Sequence, residues 1–576
     1  MLAFVRMGSR TVWAVLEATA AKVPDKAALQ QPLGGGKYRA WTWREYADIV
    51  REVAVGLRAM GVAKGEIVAL ASETRAEFYL ADQAVLACGA IAAALYTSLP
   101  VAEQARALRT SGARVAFAEN AASARALGVE GIRWILLTDL APGFDGLEGV
   151  RAEGRRILAA DSSAFERIRT EFDDSDHAVL YMTSGATGEP KMGLVTHRAI
   201  VTNLDMGPHV LPLSPEDSTI AFLPSAHIAQ RVVVELLPAR DGACVWFSES
   251  LSKLPSEMRA IKPTFFLAPP RVWERVYSSI TVEIRKRPAP VRSLFYAGVG
   301  LGSEAARLRQ HGKPVPMWMR AVLGFFDRVM FAKIRERLGG RIRVAASGAA
   351  PLGKDLAEFY AAIGMPLIEG YGLTEGGVAA LNPLDRPKPG SIGKLLPGYE
   401  ARIEADGELL LRSTCLFSGY FGDPAATAAV LRDGWLATGD IAEMDAEGYF
   451  YITGRKKELI VSSNGKKIYP ARIEALLKRE PLISHVLLVG DRMPYVTALL
   501  TVTGPLSQAH PAVEQAVKTA NRELADFERI RKFKILDREF SIEQGELTPT
   551  MKLRRSRVLE NHRELVNEMY VGREAG

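Results

Sequence analysis

The stretch "YMTSGATGEPKMG" (residues 181–193) places two Thr, one Ser and three Gly around a single Lys. Backbone N–H groups in a Gly-rich turn can form an anion-binding concavity, and the hydroxyls and Lys191 would add donors and positive charge. The preceding residues are typical of a buried strand that leads into this loop. The loop does not follow the GxxxxGK[ST] pattern, because Met192 follows the Lys. On its own, the stretch fits either a phosphate-binding loop or a flexible polar turn.

Helix and strand patterns alternate on both sides of this loop. Between residues 41 and 120, two helices alternate with the short buried strands "EIVALAS" and "ARVAFAE". This alternation predicts βαβ units, a mostly parallel sheet and an α/β fold. Three further strands run into polar loops, within residues 218–227, 341–352 and 365–375. Because ligands gather at the carboxyl ends of strands in such sheets, we expect the four loops to lie close together.

The pattern changes near residue 390, where short strands and turns begin to dominate. Beyond residue 458, Asn464-Gly465 indicates a hairpin, and a helix is predicted to begin near Pro470. The chain is therefore expected to contain two domains joined by a hinge. The predicted division is a large N-terminal domain of helix-flanked sheets (1–453) with a small β-rich subdomain (about 390–453), a hinge (454–457) and a smaller, mobile α+β C-terminal domain (458–576).

The composition is that of a globular protein with a mild basic excess. The 576 residues include 73 Lys and Arg against 66 Asp and Glu, a formal charge of +7. This excess fits an anionic small molecule, an anionic membrane surface or simply a solvated basic surface. No dense basic block indicates nucleic-acid binding. Cys88, Cys244 and Cys415 form no paired motif, and the N-terminus lacks a signal-peptide pattern, which together favour the cytoplasm.

Two apolar or Gly-rich stretches have plain structural interpretations. The run "AVLACGAIAAAL" (84–95) is too short to span a bilayer and is predicted to be a buried helix. The stretch "GVGLGS" (298–303) lacks the third Gly of a dinucleotide fingerprint and is predicted to be a flexible loop. The sequence pattern predicts no long basic amphipathic helix of the kind that a membrane-surface scaffold would use.

Four later motifs follow the opening loop in order. They are "GYGLTE" (370–375), "TGD" (438–440), "GRKKE" (454–458) and "LTPTMK" (547–552). This ordered set resembles the acyl-adenylate-forming ligase superfamily over nearly the whole chain. "LPSAHIAQR" (223–231) and "APPRVWERVY" (268–277) look like the long-chain fatty acyl-CoA synthetase branch. The resemblance implies that a fatty acid carboxylate and ATP form acyl-AMP and pyrophosphate, and that CoA then displaces AMP, with Mg²⁺ as the metal.

The resemblance also implies a role for each motif residue. Lys552 would bridge the carboxylate and the α-phosphate, Glu375 would help to hold Mg²⁺, and His227 would lie near the substrate carboxylate. The implied catalytic set is Lys552, Lys191, Thr374, Glu375 and His227. The implied ATP and AMP contacts are Thr183, Ser184, Gly185, Thr187, Gly188, Lys191, Gly348, Ala349, Ala350, Gly370, Tyr371, Gly372, Thr374, Asp440 and Arg455. Lys457 would be the hinge residue, and Gly465 and Lys466 would approach CoA.

Without the resemblance, several of these residues have ordinary structural interpretations. Glu375 could begin a helix, His227 could be a structural His, and Lys552 could be a surface Lys.

Two positions depart from the family pattern. Ala186 removes a hydroxyl beside the phosphates, and Met192 stands where the family usually has a Gly that could need a positive φ.

The leading functional hypothesis is an ATP-dependent fatty acid–CoA ligase, with long-chain acids favoured. One alternative is a fatty acyl-AMP ligase that loads a carrier protein, and another is a nucleotide- or acyl-binding protein without catalysis. The expected partners are fatty acid, ATP and CoA, without nucleic acid. A lipid substrate would suit peripheral contact with a membrane from the cytoplasm. Acyl chain length and oligomeric state are left open by the sequence.

Overall fold

The computed structural model describes residues 10–183, 191–548 and 551–571. Its largest sheet has eight strands, and six of them run parallel in the order His177–Thr183, Ile91–Ala94, Ile67–Ala71, Val115–Ala118, Arg133–Leu136 and Asp145–Gly146. Lys191–Thr196 and Gly419–Tyr420 extend it antiparallel at the other edge. The helices of this region are Val12–Lys22, Trp43–Ala59, Ala76–Ala87, Val101–Ser111, Ala121–Leu127, Leu147–Ala160, Ala164–Arg169 and His197–Val210. The predicted α/β fold is confirmed.

Local sequence explains how these elements begin and how deeply they are buried. Thr42 and Glu45 form a capping box at the start of the helix Trp43–Ala59. The strand Ile67–Ala71 is buried along its whole length, as expected for a parallel strand covered by helices on both faces. The run 84–95 is not one helix. The helix ends at Ala87, Gly89 turns the chain at φ 75°, and the strand Ile91–Ala94 follows. A short apolar run cannot distinguish helix from strand by its period, so our prediction there was wrong.

Two further sheets carry the other predicted loops. One contains the parallel strands Phe265–Ala268, Val344–Ser347 and Leu367–Leu373, followed by antiparallel Gly377–Leu381 and Lys394–Leu395. The other has the order Ser218–Ala221, Cys244–Phe247, Ala27–Gly34 and Lys37–Thr42. The accompanying helices are Gln230–Leu236 (a π-helix), Leu237–Asp241, Leu254–Ile261, Pro270–Arg285, Ala289–Gln310, Met317–Phe326, Asp327–Phe331 (a π-helix), Ala332–Glu336 and Lys354–Ala362.

The stretch "GVGLGS" lies inside the helix Ala289–Gln310 and is not a loop. Its glycines allow close packing. A Cβ at Gly298 would lie 2.7 Å from the Phe326 ring, and one at Gly302 would lie 2.1 Å from the carbonyl oxygen of Ala362. The sequence interpretation failed because it took Gly as a source of flexibility, whereas here small residues let neighbouring elements approach each other.

The region after residue 390 is rich in short strands, as predicted. Its sheet contains Glu400–Ile403, Glu408–Arg412, Trp435–Met444, Leu431–Arg432 and Phe450–Arg455, with the helix Pro424–Val430 alongside. The C-terminal part contains the hairpin Ile460–Val461 and Lys467–Ile468, and a sheet of Ile483–Val489, Val496–Val502 and Ile530–Ile535. Its helices are Pro470–Leu477, Leu506–Glu523, Arg555–Asn561 and Arg563–Tyr570, and single 3₁₀ turns span Lys456–Glu458 and Asp526–Glu528.

The apolar cores divide along the chain. Two hydrophobic clusters consist entirely of residues from 460 onward. The other clusters consist entirely of residues before 460. The division of the chain at 454–457 stays a proposal, to which this partition lends support. None of the described helices is both long enough and apolar enough to cross a bilayer.

Candidate active site

Parallel pairing brings two of the predicted loops together. Ser347 and Glu369 are partners on neighbouring parallel strands, so the residues that follow them emerge at the same edge of the sheet. A Cβ at Gly348 would lie 3.7 Å from the carbonyl oxygen of Gly370. Ala349 has a φ of 69°, a conformation that is rare outside Gly and is often found at functional sites. Gly348–Ala350 and the Gly370–Gly372 backbone therefore form adjacent walls of one region.

The "GYGLTE" motif is a β-hairpin. Leu367–Leu373 and Gly377–Leu381 pair antiparallel, and residues 374–376 make the turn. Glu375 therefore lies at a hairpin turn, and the alternative that it begins a helix is wrong. Close approach of the two strands explains the Gly content, since a Cβ at Gly372 would lie 2.6 Å from the carbonyl oxygen of Gly377.

Tyr371 connects this hairpin to the β-rich region. Its hydroxyl donates to Oδ2 of Asp440 at 2.5 Å, and Oδ1 of Asp440 pairs with Nε of Arg455 at 2.7 Å. Asp440 and Arg455 face each other on antiparallel strands, which fixes the pair. Burial raises the pKa of the Asp440 carboxyl, opposed by the charge of Arg455. The result is a nearly buried carboxylate that is held in place from both sides, suited to accept hydrogen bonds from a polar ligand.

Lys191 and Glu375 meet at Tyr420, a residue that the sequence analysis missed. The Tyr420 hydroxyl donates to Oε1 of Glu375 at 2.7 Å, and the Lys191 ammonium lies 4.7 Å from the centre of the Tyr420 ring. Burial, followed by the Glu375 charge, raises the pKa of Tyr420, which keeps its hydroxyl protonated as a donor. The strand Gly419–Tyr420 pairs with Lys191–Thr196, and this pairing is what places the ring. No local signal in the sequence marks Tyr420, because its position depends on pairing over more than 200 residues.

The phosphate-loop prediction can be checked only in part. Ser184, Gly185, Ala186, Thr187 and Gly188 lie outside the described residues, and so does the side chain of Thr183. Met192 does not adopt the positive φ for which a Gly could have been needed at this position. It lies in the strand Lys191–Thr196, pairs with Met182 and is buried in the largest core. Met192 is absent from the described residues with positive φ, so no Gly is required there.

His227 follows the strand Ser218–Ala221 by way of a short loop. Its Nδ1 accepts a hydrogen bond from the Ala229 N–H at 3.2 Å, which assigns the proton of the neutral ring to Nε2. Burial and the positive charge of Lys552 lower the pKa of His227 to about 3. The ring is therefore a neutral hydrogen-bond donor at physiological pH.

Lys552 reaches the same region from the C-terminal part. It sits on a tight turn in which the Thr548 N–H donates to the Lys552 carbonyl at 2.8 Å and the Lys552 N–H donates to Oγ1 of Thr548 at 3.0 Å. The side chain of Lys552 stays in contact with solvent, but the protein atoms around its ammonium partly desolvate it. Together with the charge of Arg455 they lower the pKa of Lys552 to about 8, partly offset by Asp440 and Glu458. The charge of Lys552 acts on the pKa of both His227 and Asp440, so its ammonium lies within electrostatic range of both groups.

Polar contacts hold the C-terminal part against the rest of the chain. Nη1 of Arg271 donates to Nε2 of His485 at 2.7 Å, and Nη2 of Arg271 lies 3.4 Å from Oε2 of Glu539. The pKa of His485 is lowered to about 3 by burial and by Arg271, so the ring is neutral and can accept. Arg479 also pairs with Asp355 across this junction. These contacts favour the arrangement in which Lys552 faces the site.

Among the described contacts, none joins the three predicted CoA and hinge residues to this cluster. Lys457 is an exposed residue in the 3₁₀ turn Lys456–Glu458. Gly465 has a φ of 76° at the tip of the hairpin that the sequence predicted, and the ammonium of Lys466 lies 5.8 Å from the Phe527 ring. The described contacts of Lys466 therefore remain within the C-terminal part.

Two buried acidic features beside the site were missed. Glu369 accepts from the Leu352 N–H at 2.9 Å, and burial raises its pKa to about 8, so it ties the Gly348–Ala350 loop to the strand as a largely neutral acid. Asp82 and Arg231 form a fully buried ion pair next to Glu235, on the π-helix that follows His227. Asp82 and Gln83 interrupt the apolar run of the helix Ala76–Ala87, which was a usable signal for a buried polar cluster.

The donor set fits a magnesium ion brought by a phosphate substrate. No group of three or more His, Cys, Asp or Glu side chains suited to a metal occurs in the described ranges. Glu375 would supply one carboxylate. Mg²⁺ typically takes one or two carboxylates and completes its shell with water and substrate phosphates, so one carboxylate is sufficient.

Comparisons with known proteins give matches along nearly the whole chain. Residues 16–421 match the AMP-binding enzyme family, and residues 457–574 match the AMP-binding enzyme C-terminal domain. The chain is 34% identical over 580 residues to long-chain-fatty-acid–CoA ligase FadD15 of Mycobacterium bovis, covering 95% of each protein. It is 27% identical over 602 residues to long-chain-fatty-acid–CoA ligase ACSBG2 of Rattus norvegicus, covering 93% of this chain and 89% of that one.

Solved structures share the fold at low sequence identity. The adenylation domain of a Mycobacterium chelonae carboxylate reductase superposes with a TM-score of 0.75 at 21% identity, covering 98% of this chain and 91% of that one. The ATP-bound MatB of Rhodopseudomonas palustris superposes with a TM-score of 0.70 at 21% identity, covering 97% of this chain and 100% of that one. At this identity, the likeness concerns the fold alone.

Proposed function

Since this chain belongs to the AMP-binding enzyme family, we propose that it is an ATP-dependent ligase that joins long-chain fatty acids to CoA. The observation that carries the proposal is the near-full-length similarity to proteins named as long-chain-fatty-acid–CoA ligases. In support, the charge of Lys552 in the C-terminal part acts on the neutral imidazole of His227 and on Asp440, whose carboxylate is paired with Arg455. Such a set of groups would suit an anionic nucleotide.

The first half-reaction joins two anions, so its main requirement is positive charge and fixed donors. Asp440 would accept from the ribose hydroxyls while Arg455 and Tyr371 hold it in place. Tyr371 would also stack on adenine beside the Gly348–Ala350 backbone. A carboxylate oxygen of the fatty acid attacks the α-phosphorus, the bond to the bridging oxygen breaks, and pyrophosphate leaves. Lys552 would neutralise the charge that develops between the carboxylate and the α-phosphate.

The phosphates and the metal would lie on the opposite side of the cleft. Thr374 would contact the α-phosphate, and Glu375, oriented by Tyr420, would be the protein ligand of Mg²⁺. When bound, Mg²⁺ would neutralise phosphate charge. Lys191 would meet the outer phosphates together with the 184–190 loop. The Nε2–H of His227 would orient the fatty acid carboxylate.

In the second half-reaction, the thiol of CoA must reach the position that the Lys552 side chain occupies. We propose that the chain divides at 454–457 into an N-terminal domain (1–453) and a C-terminal domain (458–576), and that rotation at Lys457 withdraws Lys552. The hairpin that carries Gly465 and Lys466 would then approach, and the lack of a Cβ at Gly465 would let pantetheine pass close to the backbone. Thiolate attack on the acyl carbon would release AMP. With Cys88, Cys244 and Cys415 all free, a cytoplasmic setting fits this proposal.

The test is AMP release from a ladder of fatty acids with ATP and Mg²⁺, measured with and without CoA. The proposal expects AMP release that depends on CoA and peaks among long-chain acids. Adenylate formation without CoA dependence would instead favour loading of a carrier protein, and the absence of acid-dependent pyrophosphate would exclude both enzymatic functions.

A matched pair of variants connects the activity to the site. Lys552→Ala should slow adenylation by about 10²–10³-fold, because it removes a preorganised positive charge. ATP binding, measured by calorimetry, should remain. Lys518→Ala, which removes an exposed Lys from the helix Leu506–Glu523, is the control and should keep wild-type rates.

A further inference from the structure

Exposed apolar side chains are concentrated in one helical segment of the molecule. In the described part of the chain, 20 large apolar residues are exposed, and nine of them lie between residues 282 and 329. Single exposed apolar residues are ordinary on a soluble protein, whereas a concentration of large ones marks a candidate interaction surface. The nine residues are Val282, Val291, Leu294, Tyr296, Met317, Trp318, Val322, Phe325 and Val329.

The helical run from Met317 to Glu336 has apolar residues on two faces. Met319 and Phe326 face inward and are buried, and Phe326 packs against Gly298 of the neighbouring helix. Trp318, Val322 and Phe325 repeat at helical spacing on the outward face, where Trp318 is 61% and Phe325 57% exposed. The inward face explains the fold of this helix, but the outward face contributes nothing to the core.

The same segment carries the positive charge of the protein. Residues 282–333 contain 10 Lys and Arg against three Asp and Glu, a net charge of +7. The rest of the chain has 63 basic and 63 acidic residues, so the whole excess comes from this segment. Within the described ranges, Arg292, Lys313, Arg328 and Lys333 form no ion pair with a carboxylate, so their charges are available to a partner.

We propose that this surface, the outward face of residues 282–333, docks the protein onto the surface of an anionic lipid bilayer. An exposed Trp and Phe among Lys and Arg side chains match the interfacial region of a membrane, where apolar groups enter the acyl boundary and basic groups meet anionic headgroups. A second copy of the chain is a poorer occupant, because a symmetric contact would bring two segments of +7 together.

Docking stands apart from the ligase proposal, because it can be measured without substrate. Purified full-length protein is sedimented with sucrose-loaded vesicles of phosphatidylcholine alone, or of equal parts phosphatidylcholine and phosphatidylglycerol. Binding to the anionic vesicles is expected, with an affinity that falls as salt is added. A protein that stays in the supernatant with anionic vesicles at low salt, or that binds both compositions equally, would overturn the proposal.

The apolar contribution is tested with a matched pair of double variants. Trp318→Ser with Phe325→Ser should weaken vesicle binding by about tenfold or more, because two large apolar side chains are lost from the contact. Leu140→Ser with Leu251→Ser removes two exposed apolar residues elsewhere and should leave binding unchanged. Equal losses in the two pairs would refute the assignment of the face. Thermal unfolding by circular dichroism confirms that each variant is folded.

The basic contribution is tested in the same way. Arg328→Glu with Lys333→Glu should abolish the preference for anionic vesicles, whereas Lys37→Glu with Arg109→Glu makes the same change in net charge elsewhere and should preserve it. If sedimentation equilibrium shows a dimer that depends on Trp318 while vesicles are not bound, the face is a contact between copies and the membrane proposal fails.

Discussion

Raising the pH from 7 to 9 should slow the adenylation half-reaction through Lys552. The chemistry proposed for this residue requires its protonated form. Desolvation and the charge of Arg455 lower the pKa of Lys552 to about 8. The pH–activity profile should therefore have a declining limb near pH 8, well below the pH at which an ordinary Lys loses its proton. With that pKa, the protonated fraction falls from about nine-tenths at pH 7 to about one-tenth at pH 9, roughly a tenfold loss. An unperturbed Lys would stay more than about nine-tenths protonated at pH 9.

The assay is acid-dependent exchange of pyrophosphate into ATP, measured as kcat/KM for ATP. This parameter reports the ionisation of the free enzyme, whereas bound ATP would add negative charge and raise the pKa of the ammonium. Lys552→Arg provides the control, because a guanidinium stays charged throughout this range. Its rate should be lower overall, but the limb near pH 8 should be absent.

Either of two results would refute the role proposed for the charged form of Lys552. If wild-type kcat/KM stays flat between pH 7 and 9, Lys552 is either not needed in its charged form or not desolvated in the free enzyme. If the limb persists unchanged in Lys552→Arg, another group titrates there. Hydrolysis of preformed acyl-AMP, followed in parallel, separates the limb from chemical loss of the intermediate.

Three further changes test the site and its support. Tyr420→Phe removes the hydrogen bond to Glu375 and should raise the KM for ATP by roughly 10-fold, since bonds to charged groups contribute about 1.5–3 kcal/mol; steady-state kinetics at varied ATP will measure it. Gly302→Ala should lower the thermal unfolding midpoint, because its Cβ would lie 2.1 Å from a backbone oxygen, whereas Gly300→Ala, in open space on the same helix, should raise it. Gly465→Ala places a side chain at φ 76°, and it should slow acyl transfer to CoA in single-turnover experiments while leaving pyrophosphate exchange intact.

Features that depend on local chemistry could be predicted from the sequence. The strands that lead into polar loops, the hairpin at Asn464-Gly465 and the β-rich texture after residue 390 all follow from short-range patterns, and each is present. The same reasoning failed at 84–95 and at 298–303, where a Gly had to be interpreted without its neighbours. Gly89 adopts a left-handed turn, while Gly298 and Gly302 lie within a helix and make room for packing.

The parts of the site that could not be predicted are contacts between distant segments. Tyr420 reaches Glu375 only because its strand pairs with Lys191–Thr196. Arg231 and Asp82 are 149 residues apart and form a buried pair that neither local sequence requires. The docking surface was missed for a related reason. A helix with two apolar faces has the sequence pattern of a helix buried in a core. Only the structure shows that one face packs inward and that the other face is exposed to solvent.

Backbone strain at two positions connects the fold to the proposed chemistry. Five residues other than Gly have positive φ in the described ranges, and two of them, Ala349 and Met551, lie in the loops that border the cleft. A left-handed conformation costs an ordinary residue about 1–2 kcal/mol, so it persists only where surrounding contacts fix it. At Ala349, the neighbouring Gly348 lies against the Gly370 backbone; at Met551, the hydrogen-bonded turn that carries Lys552 closes around it. The conformations of Ala349 and Met551 are therefore held by contacts within the protein itself, which suits catalysis by fixed charges and dipoles.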